Sequence, residues 1–146
     1  MMQDLLIARV GGERFAVPAI EVQSVIEIGA IVPVPRAPAY IAGLTTQRSR
    51  TLTVIDVALA LDLPRSEGRR SFALVIELGG VGYALAVDAV ENVVAAEGDV
   101  QPTRVKLAPG WSHSERGVVE TAVGTVLLVD IVRLVGSELE QEAAWQ

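Results

Sequence analysis

The chain contains an internal duplication, and this repeat limits the folds open to it more than any other feature. Residues 5–26 (LLIARVGGERFAVPAIEVQSVI) align with residues 73–94 (ALVIELGGVGYALAVDAVENVV) at an offset of 68. In each copy an aliphatic run reaches a Gly-Gly pair and continues into a second apolar run. Because glycine readily adopts the positive φ angles of a two-residue hairpin turn, each copy is predicted to begin with a tight β-hairpin.

The second half of each copy repeats as well, at an offset of 74. Gly43 aligns with Gly117, and residues 52–56 (LTVID) align with residues 126–130 (VLLVD). Each copy therefore reads as strand, strand, short helix, strand, loop, strand, strand. This order predicts a mainly β chain of two small five-stranded barrels. Because each copy alone is marginal in size, the two barrels are expected to share an interface.

The repeat also sets the predicted boundaries within a single domain of residues 1–146. The first barrel is predicted over 4–61, the second over 72–131, with a polar connector over 62–71. The tail, 132–146, is predicted to be helical, since Ser137 and Glu140 form a capping-box pattern.

Two segments inside the copies carry more local predictions. A helix is predicted over 18–25, because Pro18 suits a first helical turn and apolar residues follow at helical spacing. Residues 30–40 contain three prolines in six positions, which indicates an edge strand or an extended connector. The extra residues of the second copy are assigned to a loop around 98–115.

Composition excludes several classes of site. The chain has no cysteine, a single histidine (His113) and a formal net charge of −6. Disulfides, thiolate metal sites and multi-histidine metal sites are therefore excluded, no cofactor is expected, and nucleic-acid binding is disfavoured. Because no apolar run approaches the length of a membrane span, we expect a cytoplasmic protein without membrane insertion.

Three aspartates, Asp56, Asp88 and Asp130, each follow a strongly apolar strand. Such carboxylates can act as acids or bases, but they can equally cap a following helix. Asp56 and Asp130 occupy matching positions in the two copies, which favours the capping role.

Other candidate motifs for catalysis are weak. Gly80-Val81-Gly82 resembles the start of a nucleotide-binding loop, yet a strand-like YALAV follows where a helix is needed. Ser112-His113-Ser114 places a hydroxyl beside an imidazole without a nucleophile elbow. No enzyme is predicted, although a small enzyme or ligand-binding barrel stays open as a third hypothesis. Arg48, Ser49 and Arg50 form a predicted turn that is either simply solvated or offers an arginine to a partner.

The order of the motifs resembles the CheW-like family of bacterial chemosensory coupling proteins. Phe15–Glu27 is similar to the opening hairpin and helix of that family, and Val32–Leu44 to its proline-rich segment leading to a glycine. Thr53–Asp56, Ala86–Val90 and Leu128–Ile131 match further signature strands. The resemblance spans about 130 residues.

The resemblance implies two intertwined SH3-like five-stranded barrels with short helices. It also implies a non-enzymatic scaffold in signal transduction, which joins the cytoplasmic tip of methyl-accepting chemoreceptors to the CheW-like regulatory domain of a CheA-type histidine kinase. The alternative is a divergent module for a different motility or polarity regulator. The residues it assigns to a receptor groove between the barrels are Val22, Ser24, Gly43, Thr46 and Arg48.

The sequence departs from the family at this groove. Thr46-Gln47-Arg48-Ser49 stands where relatives commonly carry Asn-Leu-Arg-Gly, so the arginine is kept and the glycine is lost. Ser24 replaces a common glutamate, and Thr53 a common proline.

The predicted strand content and the absence of ligand clusters give a first testable expectation. The purified protein should show a far-UV circular dichroism spectrum dominated by β-structure, and the spectrum should not change when a chelator is added. A mostly helical spectrum, or unfolding in the chelator, would contradict the duplicated-hairpin interpretation.

Overall fold

The computed structural model describes residues 3–61, 63, 72–103 and 115–136. It contains ten strands, a three-residue 3-10 turn and two short helices among these residues. The strands are β1 Asp4–Val10, β2 Glu13–Pro18, β3 Ser24–Glu27, β4 Ile41–Gln47, β5 Arg50–Asp56, β6 Phe72–Leu78, β7 Val81–Val87, β8 Ala89–Ala95, β9 Glu115–Thr121 and β10 Gly124–Val129. The 3-10 turn is Ala19–Glu21, α1 is Val57–Ala60, and α2 covers residues 131–136.

The strands form two five-stranded sheets, and each sheet combines strands from both sequence copies. Sheet 1 has the order β8-β1-β2-β10-β9, and sheet 2 has the order β3-β6-β7-β5-β4. The hairpin of each copy therefore lies in the sheet formed by the other copy's last three strands. The prediction of a first barrel over 4–61 and a second over 72–131 is wrong in this respect, whereas the prediction of intertwined sheets is confirmed.

The two sheets are related by the duplication. Replacing each strand by its counterpart in the other copy converts the order of sheet 1 into that of sheet 2. Each sheet has one parallel pair, β2 with β10 and β7 with β5. Isolated bridges join Val32 to Leu44 of β4 and Gln101 to Val118 of β9. In each sheet, the chain that follows one edge strand therefore touches the other edge strand of the same sheet at a matching place. Within the described residues, the two edge strands of each sheet are joined through isolated bridges, with Ala96–Thr121 as a further one in sheet 1, rather than through a continuous ladder.

Both hairpin turns have the predicted geometry. Gly11 and Gly12 have φ angles of 57° and 80°, and Gly79 and Gly80 have φ angles of 56° and 80°. Two positive φ angles in succession define the turn whose twist suits antiparallel strands, and glycine adopts them without steric cost.

The hairpin strands are buried on both faces. In β1, Leu6, Ala8 and Val10 belong to a central core between the sheets, while Leu5 and Ile7 belong to the interior of sheet 1. The hairpin of the second copy has the same arrangement between the central core and the interior of sheet 2. This double burial explains why the hairpin strands are apolar runs rather than alternating patterns.

The predicted helix over 18–25 is wrong. Only the 3-10 turn Ala19–Glu21 forms, and the chain then enters β3, whose register pairs Ser24 with Val75. The amide of Gln23 already donates to the carbonyl oxygen of Val75 at 2.7 Å. Pairing with β6 therefore supplies the backbone partners that a longer helix would have needed, and β-branched residues suit a strand.

Two of the three aspartates act as the predicted helix caps. Asp56 accepts a hydrogen bond from the amide of Leu59 at the start of α1, and Asp130 accepts one from the amide of Arg133 at the start of α2. Asp88 does not cap a helix, since β8 begins at the next residue. Its carboxylate accepts a hydrogen bond from the amide of Gly11 at 2.8 Å, and so it holds the hairpin turn of the other copy.

The remaining local predictions have mixed outcomes. Residues 30–40 form a connector with turns at 35–36 and 39–40, rather than an edge strand or a fully extended segment, and it touches β4 through the Val32 bridge. Of the connector 62–71, only Leu63 is described, and most of the loop around 98–115, including Ser112-His113-Ser114, lies outside the described residues. The tail begins as the helix over 131–136, and its later residues, with Ser137 and Glu140, also lie outside. No helix in the described ranges is long and apolar enough to cross a membrane.

Gly43 and Gly117 permit the same close approach in the two copies. Their φ angles are 145° and 133°. A Cβ at Gly43 would lie 2.3 Å from the carbonyl oxygen of Val32, and one at Gly117 would lie 2.3 Å from that of Gln101. Both glycines therefore allow the isolated bridges to form, which gives Gly43 a structural role.

Replacing Gly43 with alanine should destabilise the fold. The added methyl group meets backbone atoms of Val32 and the residue keeps a φ angle unfavourable for alanine, so we expect a loss of about 2–4 kcal/mol in the free energy of unfolding. The measurement is chemical denaturation of both proteins. Gly29→Ala is the matched control, because nothing lies within 4 Å of a Cβ there. Equal stabilities for the two variants would contradict the close-approach argument.

Candidate functional site

A shallow polar depression opens on the surface of sheet 2. Its volume is about 200 Å³. The described residues that line it are Gln23, Ser24, Gln47, Arg48, Arg50, Leu52 and Val75. These residues come from β3, β4, β5, β6 and the β4–β5 turn, except for Gln23, which directly precedes β3 and donates its amide to Val75, so strand pairing fixes their backbone positions.

The β4–β5 turn holds Arg48 at the rim of this depression. Gln47 pairs with Arg50, so only Arg48 and Ser49 form the turn. Their φ angles are 50° and 68°, which are left-handed values that non-glycine residues seldom adopt. The guanidinium of Arg48 is thus carried on an exposed, conformationally restricted turn.

A network of three side chains lies beside Arg48. Arg50 donates through Nη2 to Glu77 Oε2 at 2.8 Å and through Nη1 to Gln23 Oε1 at 3.0 Å. Gln23 also donates through Nε2 to Glu77 at 3.3 Å. The lack of a side chain at Gly82 makes room for this network, because a Cβ there would lie 2.8 Å from Arg50 Nη2.

The matching surface of sheet 1 carries a different charge network. There, Glu91 accepts hydrogen bonds from Arg14 at 3.1 Å and from Arg9 at 3.3 Å. The hydrogen bond from Arg14 holds the pKa of Glu91 below its usual range, and the nearby Arg9 acts in the same direction. At an offset of 68, Arg9 corresponds to Glu77, Arg14 to Gly82 and Glu91 to Gln23. The two copies therefore keep the positions and change the charges.

A second depression lies along β4 and β5 and shares no lining residue with the first. Its volume is about 420 Å³, and Thr46, Thr51, Val32 and Leu44 contribute to its lining. Val32 is 65% exposed, so this depression has an apolar rim. It lies next to the bridge that Gly43 permits.

The structure brings together two of the five residues assigned to the groove. Ser24 and Arg48 line the polar depression, whereas Thr46 lines the neighbouring one. Val22 is half-buried and packs against the central core, and Gly43 is in neither depression.

Sequence reasoning missed Gln23, Gln47 and Glu77. Glu77 comes close to Arg50 only through the pairing of sheet 2. A signal for Gln23 was present, since it directly precedes Ser24 in the same motif.

The polar lining of this depression is rich in hydrogen-bond donors. Arg48 and Arg50 present guanidinium groups, and Gln23, Gln47 and Ser24 add amide and hydroxyl donors. Leu52 and Val75 form its floor and are almost fully buried, at 1% and 4% exposure. Such a lining suits a partner surface with acidic side chains, because guanidinium pairs with carboxylates through forked hydrogen bonds.

The fold matches that of a solved scaffold protein. The scaffolding protein TtCheW from Thermoanaerobacter tengcongensis superposes with a TM-score of 0.78 at 21% sequence identity. The match covers 92% of this chain and 88% of that chain. The pair of intertwined five-stranded sheets is therefore the fold of a CheW-type scaffold.

The sequence comparisons agree with the fold. The family model described as CheW-like domain matches residues 4–139. The chemotaxis protein CheW of Rhizobium meliloti is 30% identical over 97% of this chain and 92% of its own length. A probable chemotaxis protein CheW of Rhizobium etli is 26% identical over the same shares of both chains. The chain belongs to the CheW-like domain family, and its function is that of a chemotaxis coupling adaptor.

The strained turn gives a prediction about stability. Replacing Ser49 with glycine should raise the free energy of unfolding by about 0.5–1 kcal/mol, because glycine adopts a φ angle of 68° without steric cost. Thermal and urea denaturation measure the change. Ser24→Gly is the matched control, and it should lower stability because Ser24 lies in an extended strand. A destabilised Ser49→Gly protein would contradict the strained-turn description.

Proposed function

We propose that this protein joins the cytoplasmic tip of a methyl-accepting chemoreceptor to a CheA-type histidine kinase in the cytoplasm, without catalysing a reaction. The kinase partner would be its CheW-like regulatory domain. Family membership over nearly the whole chain supports the adaptor role. The position of Arg48 beside Ser24 supports the polar depression of sheet 2 as part of the receptor-binding surface.

The geometry of the turn is the observation that carries this proposal. Arg48 is exposed and is carried on a two-residue turn between paired strands, so its backbone is already ordered and only its side chain has to be ordered on binding. A receptor tip is a helical hairpin, and a helix can place an acidic side chain against Arg48 while an apolar residue contacts the half-buried Val22, which directly precedes Gln23.

The adaptor function is favoured over a module for a different motility or polarity regulator. Relatives that align over nearly their full length are named as CheW chemotaxis proteins. The changes at positions 46–49 alter the turn but keep its arginine. Receptor binding through an altered turn therefore accounts for the departures without a change of client.

Reversing the charge of Arg48 tests the receptor-binding surface. Arg48→Glu should weaken binding to a soluble fragment that contains a chemoreceptor signalling hairpin by at least about 1–2 kcal/mol, because it removes the donors and adds a repulsive charge. Stability should change by no more than about 0.5 kcal/mol, since the side chain is exposed. Titration calorimetry and thermal denaturation measure the two quantities.

Arg36→Glu is the matched control for this variant. Arg36 is also exposed and also has a positive φ angle, of 64°, but it lies in the proline-rich connector. It should bind the receptor fragment like the wild-type protein, and binding of the kinase domain should persist in both variants. Equal losses in both variants would mean a general charge effect. Absence of receptor binding by the wild type would refute the proposed coupling.

A further inference from the structure

We propose that Glu77 is an internal competitor for Arg50, and that an acidic side chain of the receptor displaces it when the receptor docks on the polar depression. This inference rests on the proposed function and adds a second binding cation to Arg48. In the free protein, Arg50 is held by Glu77 and Gln23. In the complex, Arg50 would turn toward the partner, so Glu77 sets how strongly acidic partners bind.

The first support is the local charge balance. Arg48, Arg50 and Glu77 together carry one net positive charge. Of the two arginines, Arg50 is the one that donates to the Glu77 carboxylate. The two described bonds of Arg50 use two of the five N–H groups of its guanidinium. Arg50 therefore has donors left for a carboxylate that approaches from the depression.

The second support is the exposure of the pair. The side chains of Arg50 and Glu77 are 40% and 43% exposed. Ion pairs in such positions contribute at most about 1 kcal/mol, because water competes for both charges. A partner that excludes water from the depression can therefore replace Glu77 at small cost.

The third support is that the exchange needs only side-chain rotation. Arg50 lies in β5 and Glu77 in β6, and both strands pair with β7 between them. Gly82 in β7 provides the space in which the guanidinium lies. The backbone that carries the pair is therefore fixed, and no change of fold is required.

The corresponding surface of sheet 1 lacks this arrangement. Glu91 there is shared by Arg9 and Arg14, and the β9–β10 turn carries Ala122 and Val123 where the β4–β5 turn carries Arg48 and Ser49. Glu91→Gln therefore removes one negative charge from a similar network away from the depression. It is the matched control for Glu77→Gln.

The test is a binding cycle with a soluble chemoreceptor signalling fragment. Glu77→Gln should bind the fragment about two- to five-fold more tightly than wild type at low salt, and Arg50→Gln should bind it two- to five-fold less tightly, as expected for releasing or removing one partly exposed pair. Glu77→Gln made in the Arg50→Gln background should give no gain. Glu91→Gln should bind like wild type, and the gain should shrink at high salt.

Other binding results would overturn the proposed competition between Glu77 and the receptor. A gain for Glu77→Gln that persists without Arg50, or an equal gain for Glu91→Gln, would show a general charge effect and overturn the competition. Unchanged binding in Glu77→Gln would overturn it too, while wild-type binding would leave the proposed function standing. Failure of the wild type to bind would refute both. Denaturation curves for the four variants identify any loss that comes from unfolding.

Discussion

The central core between the two sheets is the constraint on which the rest of the structure depends. Phe15 and Tyr83 occupy matching positions in the two hairpins, and both are fully buried in this core. Since the other faces of the hairpins fill the sheet interiors, these four strands have little surface to vary. Burial of this kind stabilises by roughly 25 cal/mol per Å² of apolar area, so a polar change in a hairpin is costly. Binding chemistry is therefore confined mainly to the outer strands, the turns and the hairpin ends.

The duplication made the strands and the hairpin turns predictable, because Gly-Gly pairs and apolar runs act locally. It could not reveal which hairpin pairs with which set of three strands. Since the two copies are similar, pairing within a copy and pairing across copies satisfy the same apolar pattern. The connections decide between them: Asp88 alone separates β7 from β8, and its carboxylate is bonded to Gly11 of the other hairpin. The helix predicted over 18–25 does not form for a related reason. The helical spacing of its apolar residues is outweighed by strand pairing with β6.

The candidate site was predictable in one part and not in another. Arg48 could be placed on a turn because it stands between two apolar runs. The pair of Arg50 and Glu77 could not, because these residues are 27 positions apart in the chain and meet across β7. Their contact also needs the open space at Gly82, whose purpose is invisible in a sequence where glycine more often marks a turn. Which residues meet across β7 depends on the registers in which β5 and β6 pair with it. These registers are known only once the sheet has assembled.

The differences between the copies lie at outer positions of a common frame. Gly43 and Gly117 preserve the same close approach, so the frame itself is retained in both halves. Matching surface positions differ: Asp88 holds a turn, whereas its counterpart Ile20 is 90% exposed. A duplicated scaffold can change such outer positions independently because they contribute little to the shared core. Sheet 2 thereby combines the exposed Arg48 with Arg50, whose carboxylate partner Glu77 is 43% exposed, while the two arginines of sheet 1 share Glu91, which is 29% exposed. The symmetric frame therefore presents two chemically different surfaces.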